Sequence, residues 1–321
     1  MERSDRFSGY LAIATLFVLS PVIAELLGGS TPVSRANQLI LEALFYGPGA
    51  LLIREFARRN SLGWFSILLL GLAFGITEEC LSTQSVFNPD FLGNDLTFGR
   101  LWGVNWPWAT VIIIYHAVWS ITIPIIFAEL LFPARMHRPW LNIYGITGFS
   151  VLFLLSGSGI FAIFIKMEAF RASWIHFLVA AALVLILIFS ARSRLLRNMV
   201  LFSIRTPGCF LAGLISFLAG ILSFVLETSV FTKGFGLPPL VIPVLALILF
   251  SGFIILASGW ANDHLDNRHL YALASGGLLA NLLFGLSVLL NFKNTLDIIS
   301  QLCFIVAVTM LVFFFFRKVK A

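Results

Sequence analysis

The chain has 321 residues, of which 59% are hydrophobic and only 11% are charged, and its mean hydropathy is +0.98. This composition excludes a water-soluble globular protein and predicts a polytopic membrane protein, with the lipid bilayer as its first partner. Lys and Arg at the ends of membrane spans account for the net charge of +6, so we predict no nucleic-acid partner.

Ten apolar stretches are long enough to cross a membrane as helices, since a hydrocarbon core of about 30 Å needs about 20 such residues. They lie near residues 10–27, 36–53, 62–81, 106–131, 140–165, 172–190, 208–230, 238–259, 269–290 and 296–316. They are too evenly apolar for the alternating strands of an outer-membrane barrel. We therefore predict an all-α transmembrane helix bundle. Within one integral membrane unit, a four-helix segment, 1–138, carries most of the polar residues, and a six-helix segment, 139–321, follows.

The distribution of Lys and Arg between the loops predicts the orientation of the bundle. Basic residues concentrate at both termini and in the connections 54–61, 132–138 and 191–206, which fall on one side if ten helices alternate. Cytoplasmic loops carry the excess of basic residues in membrane proteins. We therefore expect both termini to be cytoplasmic and the protein to lie in the plasma membrane.

Helix-breaking residues interrupt the first two predicted spans. Pro21 precedes Glu25 by one turn, and a Gly-Pro-Gly sequence at 47–49 lies in the middle of the second span, shortly after Glu42. Proline removes a helical hydrogen bond and clashes with the preceding turn. The pattern predicts a kinked or unwound segment at 47–49, with a simple packing role as the alternative.

The third predicted span ends on two adjacent carboxylates, Glu78 and Glu79. At about 100° per residue, Gly71, Gly75 and the two acids fall on one face of the helix. Small residues at this spacing let a second helix approach closely, so we expect the carboxylates to point into the bundle. Two neighbouring buried acids resist joint ionisation, and the pair is expected to share a proton or to bind a cation.

Further polar residues are predicted at a similar depth, in the outer half of the bundle. Glu25 ends the first span, Glu42 begins the second, and His116 lies early in the fourth with Ser120 one turn later. We expect these groups and the Glu pair to form one outward-facing polar site. The long Trp-containing loop 82–105 should fold over the mouth of this site.

Structural roles compete with these functional ones. Glu25 alone would suit an interfacial position, and His116 would suit a core histidine bonded to a backbone carbonyl. Glu129, close to Arg135, favours an interfacial ion pair. The polar run 262–269 has metal-capable side chains but is typical of a solvated cytoplasmic loop.

Two short sequences, "GITEEC" at 75–80 and "IIIYHAVWS" at 112–120, resemble the CAAX-protease and bacteriocin-processing (CPBP) family of intramembrane proteases. The resemblance implies an intramembrane hydrolase in which Glu78 or Glu79 activates water and His116 assists. No Arg follows the Glu pair at the family spacing, and Ile112 stands where the family has Phe. The same region also looks like uncharacterised bacterial multi-pass membrane proteins.

Three functions fit these residues. The leading prediction is a transporter or permease component that uses the acids and His116 for proton or cation coupling. The alternatives are a CPBP-like glutamate-dependent hydrolase and a non-catalytic lipid-binding or assembly protein of the envelope. One buried His with carboxylates suits a proton relay better than a zinc hydrolase, which needs a fuller ligand set. Small molecules, ions and lipids are the candidate substrate classes, and the sequence specifies no cofactor, metal or oligomeric state.

Overall fold

The computed structural model describes residues 2–193, 203–261 and 265–319, and helices make up almost all of its regular structure. The α-helices are α1 (Glu2–Pro21), α2 (Gln38–Arg59), α3 (Trp64–Ile76), α4 (Trp106–Tyr115), α5 (Ile123–Leu131), α6 (Ile143–Glu168), α7 (Trp174–Ala191), α8 (Cys209–Phe231), α9 (Val241–Ala261), α10 (Asn267–Phe292) and α11 (Thr295–Phe316). In these ranges the paired strands form one short antiparallel hairpin, β1 (Arg100–Leu101) with β2 (Val104–Asn105). The predicted all-α bundle is confirmed.

Nine segments of the described ranges have the length and hydropathy needed to cross a membrane. They are Phe7–Leu26, Trp64–Ser82, Trp106–Leu131, Ile143–Glu168, Trp174–Ala191, Cys209–Phe231, Val241–Ala261, Asn267–Phe292 and Thr295–Phe316. The remaining predicted span, 36–53, corresponds to α2, which is more polar because a run of charged residues ends it. The helix continues beyond residue 53 to Arg59.

Three of the apolar segments contain a π-helical turn. We call these turns π1 (Val22–Leu26), which follows α1, π2 (Thr77–Ser82), which follows α3, and π3 (His116–Thr122), which joins α4 to α5. A π turn widens the helix to an i to i+5 hydrogen-bonding pattern, and such turns are frequent at functional sites. The three turns therefore mark the part of the bundle in which functional residues are expected.

Helix α3 packs against α4 and π3 almost backbone to backbone. A Cβ atom at Gly71 would lie 2.8 Å from Cα of Ala117, and one at Gly75 would lie 3.0 Å from the carbonyl oxygen of Ile113. These distances leave no room for a side chain at either glycine. The predicted close-approach face of the third span is confirmed, and it places π2 beside π3.

The Gly-Pro-Gly sequence does not unwind α2, which is continuous with Pro48 buried inside it. A Cβ atom at Gly47 would lie 2.6 Å from the ring of Phe17, and one at Gly49 would lie 2.5 Å from the ring of Phe74. The glycines therefore allow aromatic side chains of α1 and α3 to pack directly on the α2 backbone. The expectation of an unwound segment is wrong, and the packing alternative describes this sequence.

A buried ion-pair network holds the charged end of α2. Nε of Arg54 lies 3.0 Å from Oε1 of Glu129, and Nη2 of Arg58 lies 2.6 Å from Oε2 of the same residue. Arg54 also donates a hydrogen bond to the carbonyl oxygen of Arg135 and stacks on the ring of Trp140. Glu129 therefore forms an ion pair as predicted, but it is fully buried instead of interfacial, because α2 supplies both of its partners.

The loop 82–105 is folded against the helices that follow it. The side-chain oxygen of Gln84, which is buried, accepts a hydrogen bond from the main-chain N–H of Ala172 at 2.8 Å. Nε2 of His176 lies 2.9 Å from the carbonyl oxygen of Trp102 at the tip of the hairpin. These contacts fix the loop across the ends of π2 and α4, where the sequence predicted a lid.

The glycine contact gives a matched pair of stability predictions. Gly71→Ala should lower the free energy of unfolding by about 1–3 kcal/mol, because the added methyl group meets backbone atoms of π3. Gly148→Ala, in α6, should leave it unchanged or raise it, since a Cβ atom there meets nothing within 4 Å and Ala favours a helix. Thermal unfolding in detergent micelles measures both, and equal effects would contradict the close packing.

The ion-pair network gives a second prediction. Glu129→Gln should destabilise the protein by about 3–5 kcal/mol, because it leaves two buried guanidinium groups without their carboxylate. The control is Lys233→Gln, which removes an exposed pair between Lys233 and Asp95 and should leave the unfolding temperature unchanged. An unfolding temperature of the Glu129 variant close to wild type would show that the network does not hold α2.

Candidate functional site

The three π turns bring four titratable side chains together. Glu25 lies in π1, Glu78 and Glu79 lie in π2, and His116 is the first residue of π3. The Glu pair and His116 are buried, and Glu25 is partly buried. All four were candidates from the sequence, and the contacts below join them into one group, which we call the carboxylate cluster.

His116 lies between the two adjacent carboxylates. Its Nε2 is 2.8 Å from Oε1 of Glu79, and its Nδ1 is 3.2 Å from Oε2 of Glu78. Nδ1 also lies 2.9 Å from Oγ of Ser120, within hydrogen-bonding distance. The imidazole therefore contacts side chains at both nitrogens, and the alternative of a core histidine bonded to a backbone carbonyl is wrong.

Tyr46 of α2 connects the Glu pair to Glu25. Its hydroxyl oxygen lies 2.5 Å from Oε1 of Glu25 and 2.5 Å from Oε1 of Glu78. A phenol has a single hydrogen and can donate to only one of these oxygens. A proton on the other carboxyl group would let that group donate to the phenol oxygen. The hydroxyl of Tyr46 therefore bridges Glu25 and Glu78.

The loop that follows π2 closes the other end of the cluster. The hydroxyl of Ser85, which is buried, donates a hydrogen bond to Oε2 of Glu79, and Nε1 of Trp108 donates to Oγ of Ser85 at 3.0 Å. The polar groups in contact follow one another in the order Trp108, Ser85, Glu79, His116, Glu78, Tyr46 and Glu25. The cluster is thus a linear series of polar groups, joined by hydrogen bonds except between His116 and Glu78, where Nδ1 and Oε2 lie 3.2 Å apart, at ion-pair distance.

Glu42 does not join this series directly. Its Oε1 accepts a hydrogen bond from the hydroxyl of Thr31 at 2.6 Å. Its Oε2 is buried and has no hydrogen-bond partner in the described part of the chain. Glu42 lies one turn before Tyr46 on α2, so it shares a helix face with the cluster without a hydrogen bond to it.

Side chains from distant helices hold the backbone of π1. The hydroxyl of Tyr115 and the amide of Asn281 donate hydrogen bonds to two π1 carbonyl oxygens, at 2.5 Å and 2.7 Å. The amide of Gln301 donates to the carbonyl oxygen of Leu27, the residue that follows π1, at 2.9 Å. Within a membrane, backbone groups freed by irregular winding must find partners inside the protein. These three side chains therefore fix the position of Glu25.

The residues Glu78, Glu79 and His116 could also hold a metal ion. One ligand atom from each lies within 4.8 Å of the others. Oε2 of Glu78 makes no hydrogen bond with the described residues and is available as a ligand. Two carboxylates and an imidazole suit zinc or manganese, and three protein ligands would leave positions for water or substrate.

Sequence reasoning missed Tyr46, Ser85, Tyr115 and Asn281. Both tyrosines had a detectable signal, because each lies inside an apolar span whereas tyrosine in membrane proteins favours the interfaces. Asn281 also had a signal, because it is a polar residue within an apolar span. Ser85 had no signal of its own, since a single Ser after a helix end is common.

The polar run 262–269 lies partly outside the described residues, which exclude 262–264. Oδ1 of Asp266 accepts a hydrogen bond from the main-chain N–H of His269 and lies 2.7 Å from its Nδ1. Burial raises the pKa of Asp266, but these hydrogen bonds dominate and bring it below its ordinary value. Cys209 lies within 4.8 Å of both side chains. Both ring nitrogens of His269 already have partners, since Nε2 contacts the carbonyl oxygen of Pro207, so the group forms a helix cap.

The comparison with protein families covers nearly the whole chain, since a family model matches residues 14–319. The chain belongs to an uncharacterized membrane protein family. The match includes every residue of the carboxylate cluster. No curated protein and no solved structure matches the chain. These comparisons support a multi-pass membrane protein and assign neither transport nor proteolysis.

The bridging hydroxyl gives a prediction for this cluster. Tyr46→Phe should lower the free energy of unfolding by about 1–3 kcal/mol, because it leaves two buried carboxyl oxygens without their partner. Tyr144→Phe removes the same atom from a side chain that is 82% exposed and should have no effect. Thermal unfolding in detergent micelles compares the two, and an unchanged Tyr46 variant would mean that the hydroxyl does not bridge the carboxyl groups.

Proposed function

We propose that this protein is a proton-coupled transporter of the plasma membrane in which the carboxylate cluster carries the coupling proton. The observation that supports this most strongly is the series of contacting titratable groups within membrane-crossing helices. Ionisable residues at this depth are costly and commonly form proton relays in pumps and transporters. A cluster that served packing alone would not need four of them in contact.

The contacts allow a proton to move along the series. The imidazole of His116 can take a proton at one nitrogen from Glu79 and release one at the other nitrogen to Glu78, since both distances are 3.2 Å or shorter. The hydroxyl of Tyr46 can accept from one carboxyl group and donate to the next. Ser85 and Trp108, on the side of the loop 82–105, place Glu79 nearest to the predicted outer face.

The shape of the bundle also favours a relay. The bundle contains a cavity of about 460 Å³, and no residue of the carboxylate cluster lines it. A hydrolase must place a substrate carbonyl within reach of its general base and its nucleophilic water. Proton transfer needs only a series of neighbouring polar groups, and the cluster supplies one.

A CPBP-like hydrolase is the second candidate, because Glu78, Glu79 and His116 bring three ligand atoms within 4.8 Å of one another. A divalent cation held there would lower the pKa of a bound water and supply a nucleophile. Purified protein would then contain about one zinc or manganese ion per chain, and His116→Ala would lose it. Elemental analysis of both proteins distinguishes this candidate from the relay.

The relay is tested without knowledge of the cargo by recording charge movement after a pH jump. Proteoliposomes adsorbed on an electrode should give a transient current when the outer pH falls, as protons enter the cluster. Glu79→Gln and Glu78→Gln should reduce this charge at least about tenfold, because each variant replaces a titratable group by an amide of nearly the same size. Purification and unfolding temperatures verify that the variants fold.

The matched control is Glu168→Gln, at the end of α6, where the carboxylate accepts hydrogen bonds from Asn88 and Leu92 outside the cluster. This variant should give the same transient current as the wild-type protein. A sodium jump that replaces the pH jump identifies coupling to a metal cation instead of a proton. Wild-type protein that gives no charge movement with either ion would contradict the proposed function.

A further inference from the structure

A large apolar cavity lies among the helices of the bundle. Its volume is about 460 Å³, and segments of α3, π3, α5, α8, α9 and α10 line it. Ligand sites in proteins have about 300–1,000 Å³ and are mostly apolar. The cavity is therefore large enough for a small organic molecule.

The hydroxyl groups in the cavity wall offer little to a polar ligand. Those of Ser66 and Ser216 donate to carbonyl oxygens of neighbouring helices at 2.9 Å and 2.7 Å. Those of Thr122 and Ser223 donate to carbonyl oxygens of their own segments. Because these donors are already satisfied, the wall is suited to a hydrocarbon or aromatic body.

One face of α8 leads from this cavity to a buried carboxylate. Ser216, Gly220 and Ser223 line the cavity, and Glu227 follows Ser223 by one turn on the same face. Glu227 lines a small chamber of about 10 Å³, which has room for about one water molecule. Trp119 and Ser223 line both spaces, so the chamber lies next to the cavity.

Glu227 has no partner of its own in the described residues. Its side chain is only 8% exposed, and no described group donates a hydrogen bond to it or forms an ion pair with it. An ionised carboxylate without a partner is strongly unfavourable in a membrane. Glu227 is therefore available to a charged partner from outside the chain.

Aromatic rings surround the approach to Glu227. Tyr115 and Trp119 stack with ring centroids 5.3 Å apart, and Phe224 packs on Trp119 at 4.7 Å. These rings pack on one another and form an apolar wall beside Glu227. A carboxylate at the end of an apolar cavity favours a ligand that carries a positive charge on an apolar body.

We propose that this cavity binds a lipophilic organic cation, with the apolar body between α3, α8 and α9 and the positive charge against Glu227. An inorganic cation is a poorer fit, because the chamber supplies one carboxylate among apolar side chains and metal ions need several oxygen ligands. A phospholipid is a poorer fit, because its phosphate would meet the same carboxylate. The binding site is separate from the carboxylate cluster and goes beyond the proposed function.

Two probes of equal shape and opposite charge test this proposal. Equilibrium dialysis of the purified wild-type protein in detergent micelles measures binding of tetraphenylphosphonium, a cation, and of tetraphenylborate, an anion. The cation should bind saturably, with about one site per chain and at least tenfold more tightly than the anion. Equal affinities, or no saturable binding of the cation, would overturn the proposal.

Variants assign the binding to this cavity. Glu227→Gln should weaken binding of the cation at least about thirtyfold, as expected when one partner of a buried charge pair is lost. Ala257→Phe places a ring in the cavity from α9 and should abolish binding while leaving Glu227 intact. Glu168→Gln is the control and should bind as wild type. If the Glu227 variant does not fold, the Ala257→Phe variant alone tests the location of the site. Unchanged binding of the cation in that variant would reject the cavity as the site.

Dialysis uses no ion gradient, so the result is independent of the proton relay. Glu79→Gln should bind tetraphenylphosphonium as tightly as wild type. Binding that persists when wild-type protein shows no charge movement would reject the proposed transport and retain this site. Absence of saturable binding in protein that does show charge movement would reject this site and retain the proposed transport.

Discussion

Burial of three carboxylates and an imidazole among apolar helices is the constraint on which the rest of this structure depends. Each charge placed in a bilayer is costly unless it is neutralised or paired. In the cluster, the hydroxyl of Tyr46 contacts two carboxyl groups, and His116 contacts both members of the Glu pair. The three π turns meet the same constraint. They bring carboxylates of separate helices to the imidazole ring of His116 and the hydroxyl of Tyr46.

Helix α2 connects this cluster to the buried ion pairs of Glu129. Tyr46 and Arg54 lie eight residues apart on it, about 12 Å along the helix axis at 1.5 Å per residue. Both contacts are buried and directional, so α2 is fixed at two points along its length. The Gly-Pro-Gly sequence lies between them, where α1 and α3 pack on its backbone. A helix held in this way keeps a fixed distance between the carboxylate cluster and the ion-pair network of Glu129.

The sequence predicted those features that depend on one segment at a time. Span positions follow from local hydropathy, and the inward direction of Glu78 and Glu79 follows from the glycines on the same helix face. The sequence did not predict that Tyr46 bridges two carboxyl groups or that Arg54 and Arg58 pair with Glu129. These contacts depend on which helices are neighbours and on how far each is shifted along its axis. From the sequence, Glu25 and not Glu42 had a competing interfacial role, yet Glu25 is the one that lies in a π turn and contacts the cluster, and neither residue type nor spacing indicated that.

The contact between α3 and π3 limits how the bundle could move. A Cβ atom at Gly71 would lie 2.8 Å from Cα of Ala117, so a displacement of α3 would displace π3 with it. By contrast, α9 packs mainly against α4 and α8 and forms one wall of the large cavity. A displacement of α9 would therefore open that cavity and leave the distances between His116 and its two carboxylates unchanged.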